Sequence, residues 1–302
     1  KVNEYGVFDV SAVADPDADQ RVGDRVAGET EEGVYGAVGM AWVPPELREN
    51  RGEIDRAAED DLPDLLETAD VRGDLHVHTD ASDGEATIEE MVAAAEAYGH
   101  EYVTIADHAT GPGMVGGVGL DDAELREHAE AVRAVAADAD IEVLAGVEAN
   151  IGPDGEVSVG EDVLSELDCV VASPHSALEG DGTDRLVAAI EHPEVDVLGH
   201  PTGRLLNQRP GHDIDIERVA EAAAERETAL EINADPRRLD LRSSYVKAAV
   251  EAGATVAIDT DAHSTGAYGN VRFGVHTARR GWVEPDDVLN CRSAAKLRAF
   301  LE

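Results

Sequence analysis

Residues 72–84 read RGDLHVHTDASDG, a short apolar strand followed by a polar turn. Side chains two residues apart share one face of a strand, so His76 and His78 are predicted to point the same way. Asp83 follows in the turn and offers a hard oxygen ligand beside the two imidazoles. One buried and one exposed histidine would give the same pattern, so a metal site here requires further ligands from elsewhere in the chain.

The composition is strongly acidic, with 65 Asp and Glu residues against 24 Lys and Arg and a formal net charge of −41. The acids are spread over every predicted helix, and the regular apolar periodicity argues against a disordered chain. Such self-repulsion is tolerated in molar salt, where the Debye length is about 3 Å. We therefore expect a protein from the high-salt cytosol of a halophilic archaeon. Because salt tolerance explains the charge, the charge indicates little about the binding partner.

The sequence lacks the signals of a membrane or secreted protein. It contains no apolar run of about 18 residues, so we expect no transmembrane helix and no membrane partner. Cys169 and Cys291 are far apart and build no disulfide framework, which favours a reducing cytoplasm. The sequence begins at Lys1 rather than Met, and we expect a fragment of a longer protein.

The first 70 residues differ from the rest of the chain. Val7, Phe8 and Val10 predict a strand, residues 16–28 a polar loop, and residues 29–40 a short helix. This part is too small for a sizeable core of its own. The predicted order is a small amino-terminal subdomain, an acidic linker and a main domain, at residues 1–57, 58–70 and 71–302.

From Val71 onward, apolar strands alternate with helical patterns. The first helix, Ile88–Tyr98, opens with Thr87 and Glu90 at capping-box spacing. Seven strands alternating with seven helices predict an α/β fold of parallel βα units, and this number favours a barrel over an open sheet. The predicted strands lie at residues 72–77, 102–106, 142–147, 168–173, 195–199, 229–232 and 255–259.

Histidines and carboxylates follow these strands, and the chemistry of a βα-barrel lies at the carboxyl ends of its strands. Six of the eleven histidines fall there. A hydrogen-bonded polar core without metal is the alternative to a metal site. The candidate metal ligands are His76, His78, Asp83, His108, Glu148, His175, His200, Asp261 and His263. The other histidines are expected to be surface or loop residues: His100, His128, His192, His212 and His276.

Nine ligands are too many for one ion, because a single zinc takes three or four protein ligands. We expect two or three divalent ions, with Glu148 or Asp261 bridging. Mixed imidazole and carboxylate ligands suit Zn²⁺, Mn²⁺ or Fe²⁺, and the absence of a thiolate favours Mn²⁺. Clustered ions activate hydroxide and neutralise a phosphate during in-line displacement. The predicted substrate is therefore a phosphoester.

A phosphoester also needs cations beside the metals. Arg204 and Arg209 follow strand five, and Arg237 and Arg238 follow strand six, and arginine makes bidentate phosphate contacts. The alternative is that these arginines offset an acidic surface. Asn233 ends a strand and could hold the substrate or support a metal ligand. The glycine-rich stretch 111–119 lacks nucleotide-binding spacing and is either a mobile lid or a plain loop.

The motifs at the strand ends resemble those of the PHP (polymerase and histidinol phosphatase) domain family. The resemblance implies a distorted seven-stranded TIM-like barrel with three metals. It further implies that His76, His78, Glu148 and Asp261 hold one metal, that Glu148, His175 and His200 hold a second, and that Asp83, His108 and His263 hold the third. The motifs are DLHVHT at 74–79, DH at 107–108, GVE at 146–148, HS at 175–176, GHP at 199–201 and DTDAH at 259–263.

Further motifs resemble the PHP domain attached to bacterial and archaeal family X DNA polymerases and the end of the polymerase thumb. They are HPTGRLL at 200–206, LEINA at 230–234 and ARRGW at 278–282, with NEYGVF at 3–8, EEGVY at 31–35 and PPELR at 44–48 in the thumb-like part. The palm is missing. The loop after His108 lacks the basic residues expected for contact with DNA.

The resemblance implies a Mn²⁺-dependent 3′–5′ exonuclease or 3′-end-processing activity. DNA 3′ ends and an upstream polymerase portion would be the partners. Glu148, Asp261 and His175 would serve catalysis, while Arg204, Asn233 and Arg237 would bind substrate. Two other functions stay open: a phosphomonoesterase of the histidinol-phosphatase type and a non-catalytic scaffold for a polymerase.

Overall fold

The computed structural model describes residues 1–111 and 118–302. They form two compact units, Lys1–Pro63 and Asp64–Glu302, and the division between them falls inside the acidic segment 58–70. Most of the glycine-rich stretch 111–119, predicted as a lid or a loop, lies outside the described residues. Within the described ranges, no helix is both long and apolar enough to cross a membrane.

The first unit contains a three-stranded antiparallel sheet. Its strands, in spatial order, are β1 (Val2–Asn3), β2 (Gly6–Asp9) and β3 (Asp24–Ala27). The polar loop predicted over residues 16–28 is wrong at its end, because β3 lies within it. β3 has no buried side chain, so its main-chain pairing with β2 rather than an apolar face defines it.

Two short helices complete the first unit, α1 (Glu31–Ala37) and α2 (Glu53–Ala58). The Thr30 side chain begins α1 by accepting a hydrogen bond from the Gly33 N–H at 3.1 Å. α1 is shorter than the helix predicted over residues 29–40. The core of this unit is small, and its most buried apolar side chains are Val7, Phe8, Val43 and Leu47.

The second unit is built on seven parallel strands that nearly close into a barrel, and the predicted fold class is confirmed. The predicted strands are all present, although the strand at 195–199 is reduced to two residues. The strands are β4 (Gly73–Val77), β5 (Tyr102–Ile105), β6 (Glu142–Asn150), β7 (Cys169–Ser173), β8 (Val197–Leu198), β9 (Ala229–Asn233) and β10 (Val256–Asp259).

Helices follow the strands and cover the outside of the barrel. The first begins at Thr87, whose side chain accepts from the Glu90 N–H while the Glu90 carboxylate accepts from the Thr87 N–H. The helices are α3 (Ile88–Tyr98), α4 (Asp122–Ala136), α5 (Glu161–Leu164), α6 (Thr183–Ile190), α7 (Ile216–Arg226), α8 (Ser243–Glu251), α9 (Val271–Arg280) and α10 (Ala294–Leu301).

The two-residue period of the strands separates the apolar core from the polar interior of the mouth. In β9, Leu230 and Ile232 pack in the cluster that joins the sheet to the helices. Glu231 and Asn233 alternate with them and are fully buried on the other face. The carboxyl half of the strand therefore points its polar side chains into the barrel.

The barrel closes between its first and last strands without a regular ladder: side chains join the strands, and a main-chain hydrogen bond, from the His78 N–H to the Ala262 carbonyl at 2.8 Å, joins the segments that follow them. Asp259 Oδ1 accepts from the Leu75 N–H at 2.8 Å, and the Asp74 carboxylate accepts from the Thr260 N–H at 3.2 Å. Asn290 donates to the Gly73 and Ile258 carbonyls at 2.9 and 2.6 Å and accepts from the Ile258 N–H. We call this contact between β4 and β10 the seam.

Candidate metal centre

His76 and His78, from the stretch that predicts the site, are fully buried at the barrel mouth. The Nε2 atom of His76 lies 3.4 Å from Glu148 Oε1. The Nε2 atom of His78 lies 3.7 Å from Glu148 Oε2 and 3.2 Å from Asp261 Oδ1. Two imidazoles, one in β4 and one directly after it, thus meet carboxylates supplied by β6 and by the loop after β10.

Glu148 is the centre of the cluster. Its Oε1 lies 2.9 Å from His200 Nε2 and 3.3 Å from His175 Nε2, and its Oε2 lies 2.7 Å from His108 Nδ1. Together with His76 and His78, five imidazoles therefore surround one fully buried carboxylate. No such convergence is needed for packing, because apolar side chains would fill the same space without desolvating a charge.

Asp83 organises the outer edge of the cluster. Its Oδ1 lies 3.5 Å from His108 Nε2 and 3.1 Å from His263 Nε2. The side chains of Asp83 and His263 are 40% and 29% exposed, so this edge faces solvent. The structure thus brings all nine predicted ligands together at the mouth.

Three groups of side chains have atoms close enough to share an ion. Among the described residues they differ from the predicted division, because His78 and His108 each belong to two groups and His200 and Asp261 to none. The groups are His78, Asp83, His108 and His263; His76, His78 and Glu148; and His108, Glu148 and His175.

Gly199 leaves room for side chains of β7 beside His200. A Cβ atom at Gly199 would lie 2.2 Å from Ser173 Oγ and 2.8 Å from Val171 Cγ1, so a larger residue there would displace them. His200 itself has a φ of 24° and Asp261 a φ of 53°, backbone conformations that side-chain-bearing residues rarely adopt. Strain of this kind concentrates at functional sites.

The donor atoms of the cluster fit metal ions. Buried polar atoms normally have hydrogen-bond partners, and each one left without costs about 1–3 kcal/mol. Several buried atoms of the cluster have no such partner among the described residues: His76 Nε2, His78 Nδ1 and Nε2, His108 Nδ1, Glu148 Oε1 and Oε2, and His175 Nδ1 and Nε2. Imidazole nitrogens and carboxylate oxygens without thiolates are the donor set of Mn²⁺, Zn²⁺ or Fe²⁺.

The protonation states in the cluster follow from burial and neighbouring charge. Burial, followed by the charge of His108, lowers the pKa of His78 to about 4. Burial and the Arg238 charge lower the pKa of His200 to about 3. Burial would raise the pKa of Glu148, but the surrounding imidazoles outweigh it and hold that pKa well below its usual range. Burial would lower the pKa of His76 and His108, but the Glu148 charge outweighs it and raises the His108 pKa to about 10 and the His76 pKa well above its usual value. Metal binding to these two rings must therefore release their protons, because only a neutral imidazole is a ligand.

Glu231 holds two of the ligands in place. Its Oε1 accepts from His76 Nδ1 at 2.7 Å, and its Oε2 accepts from the His200 N–H at 2.5 Å. The first contact fixes the His76 tautomer that leaves Nε2 with a lone pair facing Glu148. No role is predicted for Glu231 from the sequence, although a glutamate inside an otherwise apolar strand is a signal that could have found it.

Asp107 holds the turn that carries Asp83. Its carboxylate accepts from the Thr79 N–H at 2.8 Å and from Ser82 Oγ at 2.5 Å. His128 Nε2 lies 2.9 Å from the other oxygen. The expectation that His128 is a surface or loop residue is wrong, because it lies buried in α4 behind this network.

Two more histidines outside the mouth are buried, although both lie in loops. Burial alone lowers the pKa of His100 to about 4. The ring nitrogen Nε2 of His212 lies 2.8 Å from the Pro201 carbonyl and supports the loop after His200. Both lie in loops as predicted, but these loops pack on the barrel and bury the two side chains.

The predicted substrate residues occupy different positions. Asn233 Nδ2 donates to Glu231 Oε2 and to Asp261 Oδ2, both at 3.1 Å, so it braces a predicted ligand. The Arg204 guanidinium donates to the Arg238 and Leu239 carbonyls and does not line the cavity above the cluster.

Arg237 and Arg238 do line that cavity, whose volume is about 350 Å³. Arg238 Nε lies 3.3 Å from Asp261 Oδ2, and its side chain is 17% exposed. Arg237 is paired with Asp235 at 2.5 Å, yet its side chain is 70% exposed. Two arginines therefore stand where a phosphate above the cluster would need them.

Comparison with known proteins decides the family. The sequence profile of the PHP domain matches residues 74–235, which include seven of the nine clustered ligands. The chain belongs to the PHP domain family. A second profile, the DNA polymerase beta thumb, matches residues 1–49. Both resemblances stated from the sequence are thereby confirmed.

Relatives of this PHP domain protein fall into two groups. DNA polymerase/3′-5′ exonuclease PolX of Bacillus subtilis (strain 168) is 37% identical over 306 residues, which cover 100% of this chain and 51% of that protein. The chain thus spans about half the length of the Bacillus protein. A probable phosphatase of Shewanella sp. (strain MR-4) is 33% identical over 242 residues, covering 76% of this chain and 90% of that protein.

Among solved structures, histidinol phosphate phosphatase of Lactococcus lactis subsp. lactis Il1403, complexed with zinc, L-histidinol and phosphate, has a TM-score of 0.48 and 18% identity. The alignment covers 69% of this chain and 94% of that one. Membership of the PHP family and the clustered ligands of this chain together support a metal-dependent phosphoesterase.

Proposed function

We propose that this chain is the 3′–5′ exonuclease or 3′-end-processing portion of a family X DNA polymerase and uses two or three divalent ions, preferably Mn²⁺. The observation that carries the proposal is the cluster of nine candidate metal ligands centred on Glu148. Similarity to the Bacillus polymerase along the whole chain supports DNA as the substrate. A high-salt cytosol is the proposed location.

The residues of the cluster have separable tasks in this proposal. In the division that the family resemblance implies, His76, His78, Glu148 and Asp261 would hold one ion, His175 and His200 with Glu148 a second, and Asp83, His108 and His263 a third. The close approach of His78 to the third group and of His108 to the second would let these two rings serve either of two ions. When bound, such ions lower the pKa of water and offset the charge of a phosphate.

The protein supplies positioning around that chemistry. Glu231 orients His76, and Asn233 orients Asp261, so both ligands are fixed before substrate arrives. Arg238 places a positive charge beside Asp261 at the wall of the cavity, where it could contact a phosphate oxygen. Arg237 extends the same wall toward solvent. Arg204 contributes by holding the two loops together rather than by contact with the phosphate.

The thumb-like first unit favours a DNA substrate. Residues 1–49 match the DNA polymerase beta thumb, and the probable phosphatase of Shewanella sp. (strain MR-4) aligns with only 76% of this chain. The sequence similarity of those phosphatases nevertheless keeps a phosphomonoesterase as the second candidate function. A non-catalytic scaffold is the third, and the clustered ligands count against it because a scaffold has no use for them.

Incubation with 5′-labelled single-stranded DNA and Mn²⁺ in molar KCl separates these functions. A ladder shortened from the 3′ end supports the exonuclease. Release of phosphate from small monoesters, without any shortening of DNA, would contradict it in favour of the phosphomonoesterase. The scaffold predicts neither turnover nor bound metal.

His76→Ala tests the metal assignment within the same assay. We expect loss of activity with a retained fold, because the change removes one donor and leaves the strand intact. His276→Ala is the matched control, since this histidine is exposed on α9 away from the mouth. Full activity of His76→Ala would refute the assignment.

A further inference from the structure

Among the loops at the mouth, those that contain arginine or lysine lie on one side only. In the sequence, the loops after β8 and β9 contain five arginines: Arg204, Arg209, Arg237, Arg238 and Arg242. The loops after the other five strands contain no lysine or arginine, and each contains at least one Asp or Glu; they are residues 78–87, 106–121, 151–160, 174–182 and 260–270.

This segregation is unexpected in so acidic a chain. Arginines that only offset a negative surface would be spread among all seven loops, since every loop carries acids. Instead they lie on two adjacent loops, because β8 pairs directly with β9. We call these five residues the arginine rim.

The two loops of the arginine rim form one surface. The Leu206 N–H donates to the Arg237 carbonyl at 2.6 Å, and Arg204 Nε donates to the Arg238 carbonyl at 2.9 Å. Arg242 lies over the ring of Tyr245, 3.9 Å from its centroid. These contacts fix the loops, so the arginines are presented by an ordered backbone.

The surface also offers groups that suit nucleobases. A cavity of about 410 Å³ is lined by residues 204–210, among them the amides of Asn207 and Gln208 and the 38%-exposed side chain of Leu206. A second cavity of about 700 Å³ shares Arg209 with the first and His175 with the metal centre. The path along the rim is therefore continuous with the cavity above the cluster.

We propose that the arginine rim is the binding surface for the single-stranded polynucleotide, which enters the metal centre over the loops after β8 and β9. Its phosphates contact the guanidinium groups of Arg209, Arg237, Arg238 and Arg242, while Arg204 holds the two loops together. Its bases contact the apolar and amide side chains of residues 205–210. The acidic loops on the other side of the mouth repel the strand and fix its path. This inference rests on the proposed function for the identity of the strand.

Arginine is the appropriate cation for such a surface. Its fork makes paired hydrogen bonds with phosphate, and its plane stacks on bases, so the interaction survives at salt concentrations that screen longer-range attraction. Arg209 keeps nitrogens for a ligand, because only its Nε is engaged, at 2.9 Å from the Gly203 carbonyl, among the described residues.

Binding of labelled single-stranded DNA with phosphorothioate linkages tests the arginine rim directly. The full chain, loaded with Mn²⁺, is compared with Arg209→Gln and Arg242→Gln by fluorescence anisotropy over a range of KCl. We expect each variant to weaken binding roughly five- to tenfold, as for a charge-assisted hydrogen bond at a partly exposed site. The slope of log K against log salt should fall by about 0.7 for each phosphate that the variant no longer neutralises.

Arg226→Gln is the matched control. It removes the same charge from an exposed residue in the last turn of α7, at the opposite end of the barrel from the mouth. The rim is refuted if both rim variants bind as the parent does, or if Arg226→Gln weakens binding equally.

Hydrolysis of bis(p-nitrophenyl) phosphate separates this inference from the proposed function. The rim predicts that Arg209→Gln raises KM for DNA several-fold more than KM for this small diester. Equal losses on both substrates would overturn the rim as a strand-binding surface. If the parent cleaves neither substrate, the proposed nuclease fails, while the binding comparison still decides the rim.

Discussion

Replacing Glu231 by glutamine tests how the metal centre is held without removing any proposed ligand. The fully buried carboxylate accepts from His76 Nδ1 at 2.7 Å through one oxygen and from the His200 N–H at 2.5 Å through the other. Glutamine has the same shape but only one acceptor oxygen. Either His76 or His200 therefore meets an N–H group where it needs an acceptor.

The size of the effect follows from this mismatch. One buried donor without an acceptor costs about 1–3 kcal/mol of stability. Each kcal/mol lowers the Tm by about 2–4 °C in a domain of this size. If the amide nitrogen faces His76, the ring must move its proton to Nε2, the atom that faces Glu148. Removal of such a supporting hydrogen bond weakens metal binding about 10- to 100-fold.

Isothermal titration with Mn²⁺ and thermal unfolding of the metal-free protein measure the two effects separately. Glu225→Gln is the matched control, because the same change is made at an exposed position of α7. A Glu231→Gln variant that folds and binds Mn²⁺ within twofold of the parent would show that this hydrogen bond does not position His76.

Three further changes test other parts of the fold. Asp107→Asn should loosen the Asp83 turn and lower the affinity of one ion about tenfold, and an unchanged metal titration would contradict this. Asn290→Ala leaves main-chain groups of Gly73 and Ile258 without hydrogen-bond partners, and we expect it to lower the free energy of unfolding by about 3 kcal/mol. Metal binding should be retained. An unchanged midpoint in a denaturant titration would show that the seam does not stabilise the barrel. Burial and the charge of Glu194 raise the pKa of Asp196 from 3.8 to about 7 on folding. The folded state therefore binds this proton more tightly than the unfolded state, and the free energy of unfolding falls as pH rises between these two values. The Tm of Asp196→Asn minus the Tm of the parent should therefore increase as pH rises over this range. A Tm difference that does not change with pH would disprove the raised pKa.

The barrel and the ligand cluster were accessible from the sequence because each depends on a local regularity. Alternating apolar strands and capped helices define the βα units, and parallel strands bring their carboxyl ends to one edge. His76 and His78 follow from the two-residue period of a single strand. Asp261 and His263 could be predicted as ligands once the end of β10 was located in the sequence.

Residues that act across strands were beyond such reasoning. Glu231 supports His76 and His200, which lie 155 and 31 residues away in sequence, and no local pattern records those pairings. The inward turn of the Arg204 guanidinium toward two carbonyls likewise depends on the path of the next loop. The burial of His128 is not predictable from the sequence, because no local pattern indicates that α4 places this ring 2.9 Å from the Asp107 carboxylate.

The seam has a consequence for how long the site holds its ions. β4 and the residue after it carry His76 and His78, while the segment after β10 carries Asp261 and His263. The proposed ligands therefore flank the seam, where side chains and the His78 N–H to Ala262 carbonyl hydrogen bond replace a regular ladder. Local opening occurs where main-chain pairing is sparse. Local opening of the seam would separate His76 and His78 from Asp261 and His263 and so release the ions. The rate of amide hydrogen exchange at Leu75 and Thr260 should then match the rate of metal dissociation. The residence time of the ions would be set by how firmly the barrel is closed.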